Sequence, residues 1–292
     1  MHFEPLDIFL LFWVFVFGSA VGSFLNVCIW RLPRGLAINN PRRSVCPRCG
    51  EAIAWYDNIP LLSFIWLGGR CRHCNGTISW RYPLVEGITG VVFTAIYGWQ
   101  SIMQGTPVPQ LLVMFLVAAL LIVASGVDME FFVIPDEISV FGLAAALLAG
   151  LLLPQFHVGM QAHHTLAGLT GILHLDGLIG SALGALVGGG MVLFFAMFGE
   201  LIFRREALGF GDVKLMAMVG AFFGWKVAVV AFFISPFFGL IYGLPLLFAK
   251  GEHVMPYGPF LSGASLIALI FRENACQFLE PVEQLVKLGL GF

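Results

Sequence analysis

Long, nearly unbroken apolar stretches occupy residues 8–30, 83–101, 109–127, 137–154, 177–199, 227–249 and 258–271. Stretches of this length predict membrane-spanning helices. A shorter apolar run at 213–225 is a further candidate. As a helix it rises only about 20 Å, against a hydrocarbon core of ~30 Å. It spans if flanking residues snorkel, or it is a broken or re-entrant piece. The pattern therefore predicts an all-α polytopic membrane protein with about eight transmembrane helices. The opening residues, "MHFEPLD", carry no Lys or Arg, and the apolar run after them is long for a cleavable signal peptide. The first run is expected to stay as a span.

Composition agrees. The 292 residues are 59% hydrophobic and 11% charged, whereas soluble domains carry about 25% charged residues. The net charge of −2 says little, because the charges are unevenly placed. Of the 15 Lys and Arg residues, Arg31, Arg34, Arg42, Arg43, Arg48, Arg70, Arg72 and Arg81 fall in the loop between the first two runs. By the positive-inside rule that loop is cytoplasmic and the N-terminus outside. Counting forward, the 155–176 loop lands outside and contains no Lys or Arg. The loops holding Arg204, Arg205 and Lys250 land inside. The same count puts Asp128 and Asp212 at the cytoplasmic end of the membrane. Small-residue patches at Gly18–Gly22 and "VGGGM" (187–191) read as close helix packing.

The basic loop also carries "CPRCG" and "CRHCN", two Cys-x-x-Cys pairs separated by 21 residues. Two knuckles of this spacing complete a tetrahedral four-sulfur zinc site from Cys46, Cys49, Cys71 and Cys74. Disulfides are the competing reading, and a reducing compartment argues against them. Four thiolates close the coordination sphere, so the zinc is expected to be structural. A loop this short has little core of its own, and metal binding would supply much of its folding energy. His73 is a weaker alternative ligand, and Cys28 and Cys276 read as inert thiols. The expected organisation is a first span at 1–30, a cytoplasmic zinc-binding domain at 31–82 and a transmembrane catalytic domain at 83–292.

Charges inside apolar sequence are functional candidates by default. Asp128 follows an apolar run directly and ends a helix, where the dipole disfavours negative charge. Asp136 precedes the next run and reads as an N-cap. Glu130 reads as a solvated headgroup-level charge. Asp212 begins the 213–225 helix, so it is either an N-cap or a functional carboxylate. Gly209 and Gly211 remove side chains just before it and permit close approach of another chain; an extended peptide substrate would use that room. Two carboxylates converging at one depth cannot both ionise and would share one proton. One then activates a water and the other donates to the scissile carbonyl, which is aspartyl proteolysis. Lys214 either pairs near Asp212 or snorkels. Glu86 is a buried polar contact or part of a second site. His157, His163, His164 and His174 are too irregularly spaced for a metal assignment.

Six motifs in order resemble the bacterial type IV prepilin peptidases over nearly the whole chain. They are "GSFLNVCIWRLPRG", the Cys-x-x-Cys pairs with "NIPLLSFIWLGGRC", "RYPLVE", "VDMEFFVIPDEIS", "GFGDVKLMAMVGAFFGW" and "PYGPFL". Ile134 stands where many members have leucine, a conservative departure. The resemblance implies an inner-membrane aspartyl endopeptidase with Asp128 and Asp212 catalytic and Asp136 not. It implies cleavage of a basic leader from type IV prepilins and type II secretion pseudopilins. N-methylation of the new amine would follow, with S-adenosylmethionine as donor. Spacing shows no site for that donor. The expected partners are these substrates, membrane lipid and pilus or secretion assembly machinery, with no nucleic acid. Two competing readings are a zinc-ribbon transporter or channel with pathway-lining aspartates, and an assembly scaffold with structural ones. The Gly-x-Gly-Asp motif and the edge depth favour the peptidase, since a transport pathway would place charge near the midplane.

Overall fold

The computed structural model describes residues 4–39, 44–154, 172–204, 208–250, 255–282 and 284. It divides into two compact units, Met1–Val123 and Ala124–Phe292. Among the described residues the secondary structure is helical apart from two isolated bridges, Val45 with Ala52 and Arg70 with Thr77.

In the first unit, α1 (Pro5–Arg31) opens with a proline, whose fixed φ suits a first turn, and the Glu4 amide donates to Asp7 at 3.0 Å. A short helix α2 (Leu62–Trp66) lies in the cysteine-bearing segment. Helix α3 (Arg81–Ile96) continues into a π-helical stretch, Tyr97–Met103. The chain then enters α4 (Val108–Phe131), whose last turns belong to the second unit. Packing of α1 on α3 is close: a Cβ on Gly22 would sit 2.8 Å from the Glu86 Cα. The small-residue patch at Gly18–Gly22 serves helix packing, as expected. Phe93 stacks on Phe115 with centroids 4.4 Å apart, joining α3 to α4.

The second unit contains α5 (Asp136–Leu152), α6 (Leu173–Phe203), α7 (Phe210–Phe223), α8 (Trp225–Lys250), α9 (Gly258–Ile270) and α10 (Arg272–Phe278). Helix α7 packs against α5, α6, α8 and α9. Its Leu215, Met216, Met218 and Val219 are fully buried. A helix sheathed by protein has its side chains paired inside, and needs no lipid-spanning length. At the α6–α7 crossing a Cβ on Gly184 or Gly220 would collide with the other's carbonyl, so the backbones touch there. The Ser181 hydroxyl is within hydrogen-bond distance of the Ala221 carbonyl (2.8 Å) and the Ala146 carbonyl (3.2 Å), tying α6 to α7 and α5. Gly224, at φ 84°, ends α7.

Each predicted apolar run falls mainly in one of these helices, the 83–101 run continuing from α3 into the π-helical stretch. Among the described residues, four segments are long and apolar enough to cross a membrane: Pro5–Arg34, Val108–Phe131, Leu173–Ile202 and Trp225–Leu244. The other runs lie in α3, α5, α7 and α9, of 16, 17, 14 and 13 residues. Phe9, Phe12, Phe17 and Phe24 are exposed along α1, an apolar surface suited to lipid.

Candidate active site and metal centre

Asp128 lies near the end of α4 and is buried. Its carboxylate meets the first residue of α9. The Gly258 amide donates to Asp128 Oδ2 at 2.8 Å. The unfavourable position at the end of α4 is thus offset by the N-terminus of another helix, where negative charge is favoured. Only glycine fits here, since a Cβ on residue 258 would lie 2.7 Å from Asp128 Oδ2 and 3.1 Å from its Cβ.

Asp212 is also buried. Helix α7 begins at Phe210, earlier than the apolar run suggests, with Gly209 as its N-cap. Asp212 is therefore inside the first turn and is not the cap, which corrects the N-cap alternative. It reaches back to accept the Gly209 amide at 3.1 Å. The two carboxylates come from different helices and lie within electrostatic reach of one another. Among the described residues each accepts one backbone hydrogen bond and retains acceptor capacity for a water or a partner.

The two glycines of the motif have different surroundings. A Cβ on Gly211 would come 3.0 Å from the Ile134 Cβ, so that space is filled by the loop before α5. Among the described residues, a Cβ on Gly209 would meet nothing closer than Asp212 Oδ2 at 3.7 Å. Gly209 thus leaves one side of the carboxylate open, whereas Gly211 allows Ile134 to pack.

Asp136 is the first residue of α5, after an N-cap at Pro135, so the capping reading for it is also corrected. It pairs instead with Lys214, Nζ to Oδ1 at 2.6 Å. The Lys214 ammonium lies 5.0 Å from the Phe210 ring centroid. This accounts for Lys214, which joins the start of α7 to the start of α5 and does not simply snorkel. Glu130 is exposed, as expected. Sequence reasoning missed Gly258, and with it Tyr257, whose hydroxyl is 2.5 Å from Ser235 Oγ and which lies within electrostatic reach of Asp212. The motif "PYGPFL" was the only signal for them.

In the first unit the sulfurs of Cys46, Cys49, Cys71 and Cys74 all lie within 4.8 Å of one another, a group that could hold a metal ion. All six cysteines are free, which removes the disulfide reading. His73 is not part of the group, and Cys28 and Cys276 lie outside it. The knuckles repeat one another. Gly50 donates to the Cys46 carbonyl and Asn75 to the Cys71 carbonyl, both at 2.9 Å. Gly50 and Asn75 take left-handed φ values of 73° and 52°. The backbone amide of Cys49 holds the Cys46 thiol below its ordinary range, at about 7, and that of Cys74 lowers Cys71. Nearby, Arg72 grips Asp57 through two bonds of 2.7 and 2.6 Å and draws its carboxyl below the usual range. Glu86 is buried in α3 and accepts the Leu61 amide at 2.8 Å. His174 contacts the Leu151 carbonyl; His157, His163 and His164 lie outside the described residues.

Family comparisons cover both units. The family model described as the bacterial peptidase A24 N-terminal domain matches residues 16–100, and that of the type IV leader peptidase family matches residues 115–244. A Myxococcus xanthus protein is 38% identical over 257 residues, 86% of this chain and 66% of its own length. An Aeromonas salmonicida protein is 33% identical over 293 residues, 89% and 90% of the two chains. A Pseudomonas aeruginosa protein is 32% identical over 287 residues, 88% and 89%. Each is named a prepilin leader peptidase/N-methyltransferase. No solved structure matches.

Proposed function

This chain belongs to the type IV leader peptidase family, and from that premise we propose that Asp128 and Asp212 form the catalytic dyad of a membrane aspartyl endopeptidase. Its substrates are type IV prepilins and type II secretion pseudopilins, from which it removes the basic leader, and it then N-methylates the new amine. The observation that carries the dyad is that two buried carboxylates from separate helices lie within electrostatic reach of one another, each held by a backbone amide. One carboxylate, ionised, takes a proton from water as the oxygen attacks the scissile carbonyl carbon. The other, protonated, donates to the carbonyl oxygen. When the C–N bond breaks, a proton passes to the leaving amine. Gly209 leaves the approach to Asp212 clear for an extended peptide.

The four cysteines are suited to zinc. A tetrahedron with Zn–S bonds of ~2.3 Å separates its sulfurs by about 3.8 Å, and the Cys46 and Cys74 sulfurs lie 3.9 Å apart. All positions are filled by protein, so the ion would organise the 31–82 domain and bind no substrate. S-adenosylmethionine, when bound, supplies an electrophilic methyl carbon to the amine. The chain is a multi-pass inner-membrane protein of about eight spans, with its catalytic domain over 83–292. The clustering of arginines supports a cytoplasmic 31–82 loop and an outer N-terminus. Pilus or secretion assembly machinery is a natural neighbour.

The test is cleavage of a purified prepilin by Asp128→Asn and Asp212→Asn. Each change alone should abolish processing while the protein still accumulates in the membrane. Normal processing by either variant would overturn the dyad.

A further inference from the structure

We propose that α2, in the segment between the two cysteine knuckles, is an interfacial helix inserted in the cytoplasmic leaflet of the membrane and pinned at that depth by Glu86. The knuckles would then be anchored to the membrane surface by their own linker. The inference rests on reading α1 and α3 as membrane spans with the 31–82 loop cytoplasmic.

Two contacts set the depth of α2. The Leu61 amide, just before the helix, donates to the Glu86 carboxylate at 2.8 Å. A Cβ on Gly87 would lie 3.8 Å from Leu61 Cδ2. With a rise of ~1.5 Å per residue, Glu86 is about 8 Å along α3 from Arg81. Gly22 of α1 packs on the Glu86 Cα, and α1 runs about 14 Å further to Arg31. Phe24, on that further stretch, is exposed. The start of α2 is therefore held inside the level of the arginines that bound α1 and α3. Two residues into α2, Phe64 meets the Trp80 ring, with centroids 4.8 Å apart. Trp80 directly precedes Arg81, and an aromatic and a basic residue at one level suit a membrane–water boundary. The short helix thus lies beside the first turns of α3.

The face that α2 turns outward is apolar. Leu62, Ile65 and Trp66 fall at i, i+3 and i+4, on one side of the helix. They are 61%, 74% and 83% exposed. The polar groups are used within the segment. Ser63 Oγ accepts the Ile59 amide at 2.8 Å and donates to the Tyr56 carbonyl at 3.2 Å. The Gly69 amide donates to the Phe64 carbonyl at 2.9 Å, and the Ile78 amide to the Gly69 carbonyl at 2.7 Å. Backbone at membrane depth needs such internal partners. Gly68 and Gly69, at φ 58° and 68°, then turn the chain back to the exposed Arg70. The long gap between the knuckles has a use here, because it reaches down to α3 and returns.

Lipid fits this face better than a second copy of the chain. A stable protein interface buries ~1,200–2,000 Å², far more than three side chains offer. Interfacial helices bury an apolar face about 5–10 Å below the headgroups, which matches the position of Leu61 against Glu86.

The experiment places the full chain in vesicles of phosphatidylethanolamine and phosphatidylglycerol containing a diazirine on the lipid acyl chain. After photolysis the adducts are mapped by mass spectrometry. Residues 61–67 should be labelled about tenfold more than the knuckles at 46–50 and 71–75. Labelling no higher than that of the knuckles would overturn the inference, provided that α1 is labelled around Phe9, Phe12 and Phe17. An unlabelled α1 would overturn the spanning reading as well. A second arm tests the pin, with zinc content as the folding control. Glu86→Ala should cut labelling of 61–67 severalfold, whereas Glu86→Gln, which still accepts the Leu61 amide, should keep it. Equal labelling in the parent and Glu86→Ala would overturn the role of Glu86.

Discussion

The Gly258 amide reaches across 130 residues of sequence to hold the Asp128 carboxylate at 2.8 Å. This bond fixes one member of the dyad from a helix that carries no titratable catalytic group. Gly258→Ala would place a methyl 2.7 Å from Asp128 Oδ2. The carboxylate must then rotate or α9 must withdraw. Displacement of a catalytic group by about 1 Å costs on the order of 10²-fold in rate. We expect a loss of that size in kcat for prepilin cleavage, with little change in KM and normal membrane insertion. An unchanged kcat would show that Asp128 needs no support from α9.

Gly211 and Ile134 form a second dependent pair. Gly211→Ala should lower activity, because its Cβ would come 3.0 Å from the Ile134 Cβ and push the first turn of α7 away from that loop. Ile134→Ala opens the space and should restore part of the lost activity in the double variant. Gly209→Ala meets no such contact among the described residues, and its φ of −76° suits any residue. It should fold normally yet impede substrate beside Asp212. The comparison is made by kcat and KM for the single and double variants, and additive losses in Gly211→Ala/Ile134→Ala would reject the packing explanation.

These pairs mark what sequence could reveal. The helices were legible because spans are written as uninterrupted apolar runs, and the metal cluster because each knuckle is local. The aspartates stood out because charge is rare in such sequence. Their supports were not legible. Gly258 acts on a residue 130 positions away and Lys214 on one 78 away, and no periodicity encodes such contacts. Asp136 and Asp212 were open to a capping reading because the apolar runs at 137–154 and 213–225 each start after their helix does. Gly209 and Phe210 show no apolar periodicity, yet one caps α7 and the other begins it.

The Lys214–Asp136 pair should matter through position and not through stability. Its side chains are 30% and 65% exposed, and exposed pairs contribute about 0.2–1 kcal/mol. Lys214→Met should leave thermal unfolding within that small range. The charge-reversed pair Lys214→Asp with Asp136→Lys should recover more cleavage activity than either single reversal. Full activity in both single reversals would show that the pair does not register α7 against α5.

Asp57 gives the cysteine-bearing domain a defined acid response. Its folded carboxyl is held low, chiefly by its hydrogen bond to Arg72. Such a group contributes stability above its unfolded value and loses it as pH falls through the folded one. Asp57→Asn should therefore lower the unfolding temperature slightly near neutrality, and its difference from the parent should shrink on acidification. A difference that is constant with pH would assign the effect to packing.

Cys71→Ser tests the metal centre. A four-thiolate site should hold about one zinc ion per chain, and loss of one ligand leaves the ion with an open position. We expect lower zinc content by elemental analysis and faster proteolysis within residues 44–80. A chelator should produce the same cleavage pattern in the parent, because the knuckles bury little apolar surface and depend on the ion for their folding. His73→Ala is the control: His73 lies outside the sulfur cluster, so its removal should leave zinc content unchanged. Equal zinc loss in both variants would place His73 in the coordination sphere. Full retention in Cys71→Ser would reject the four-sulfur site.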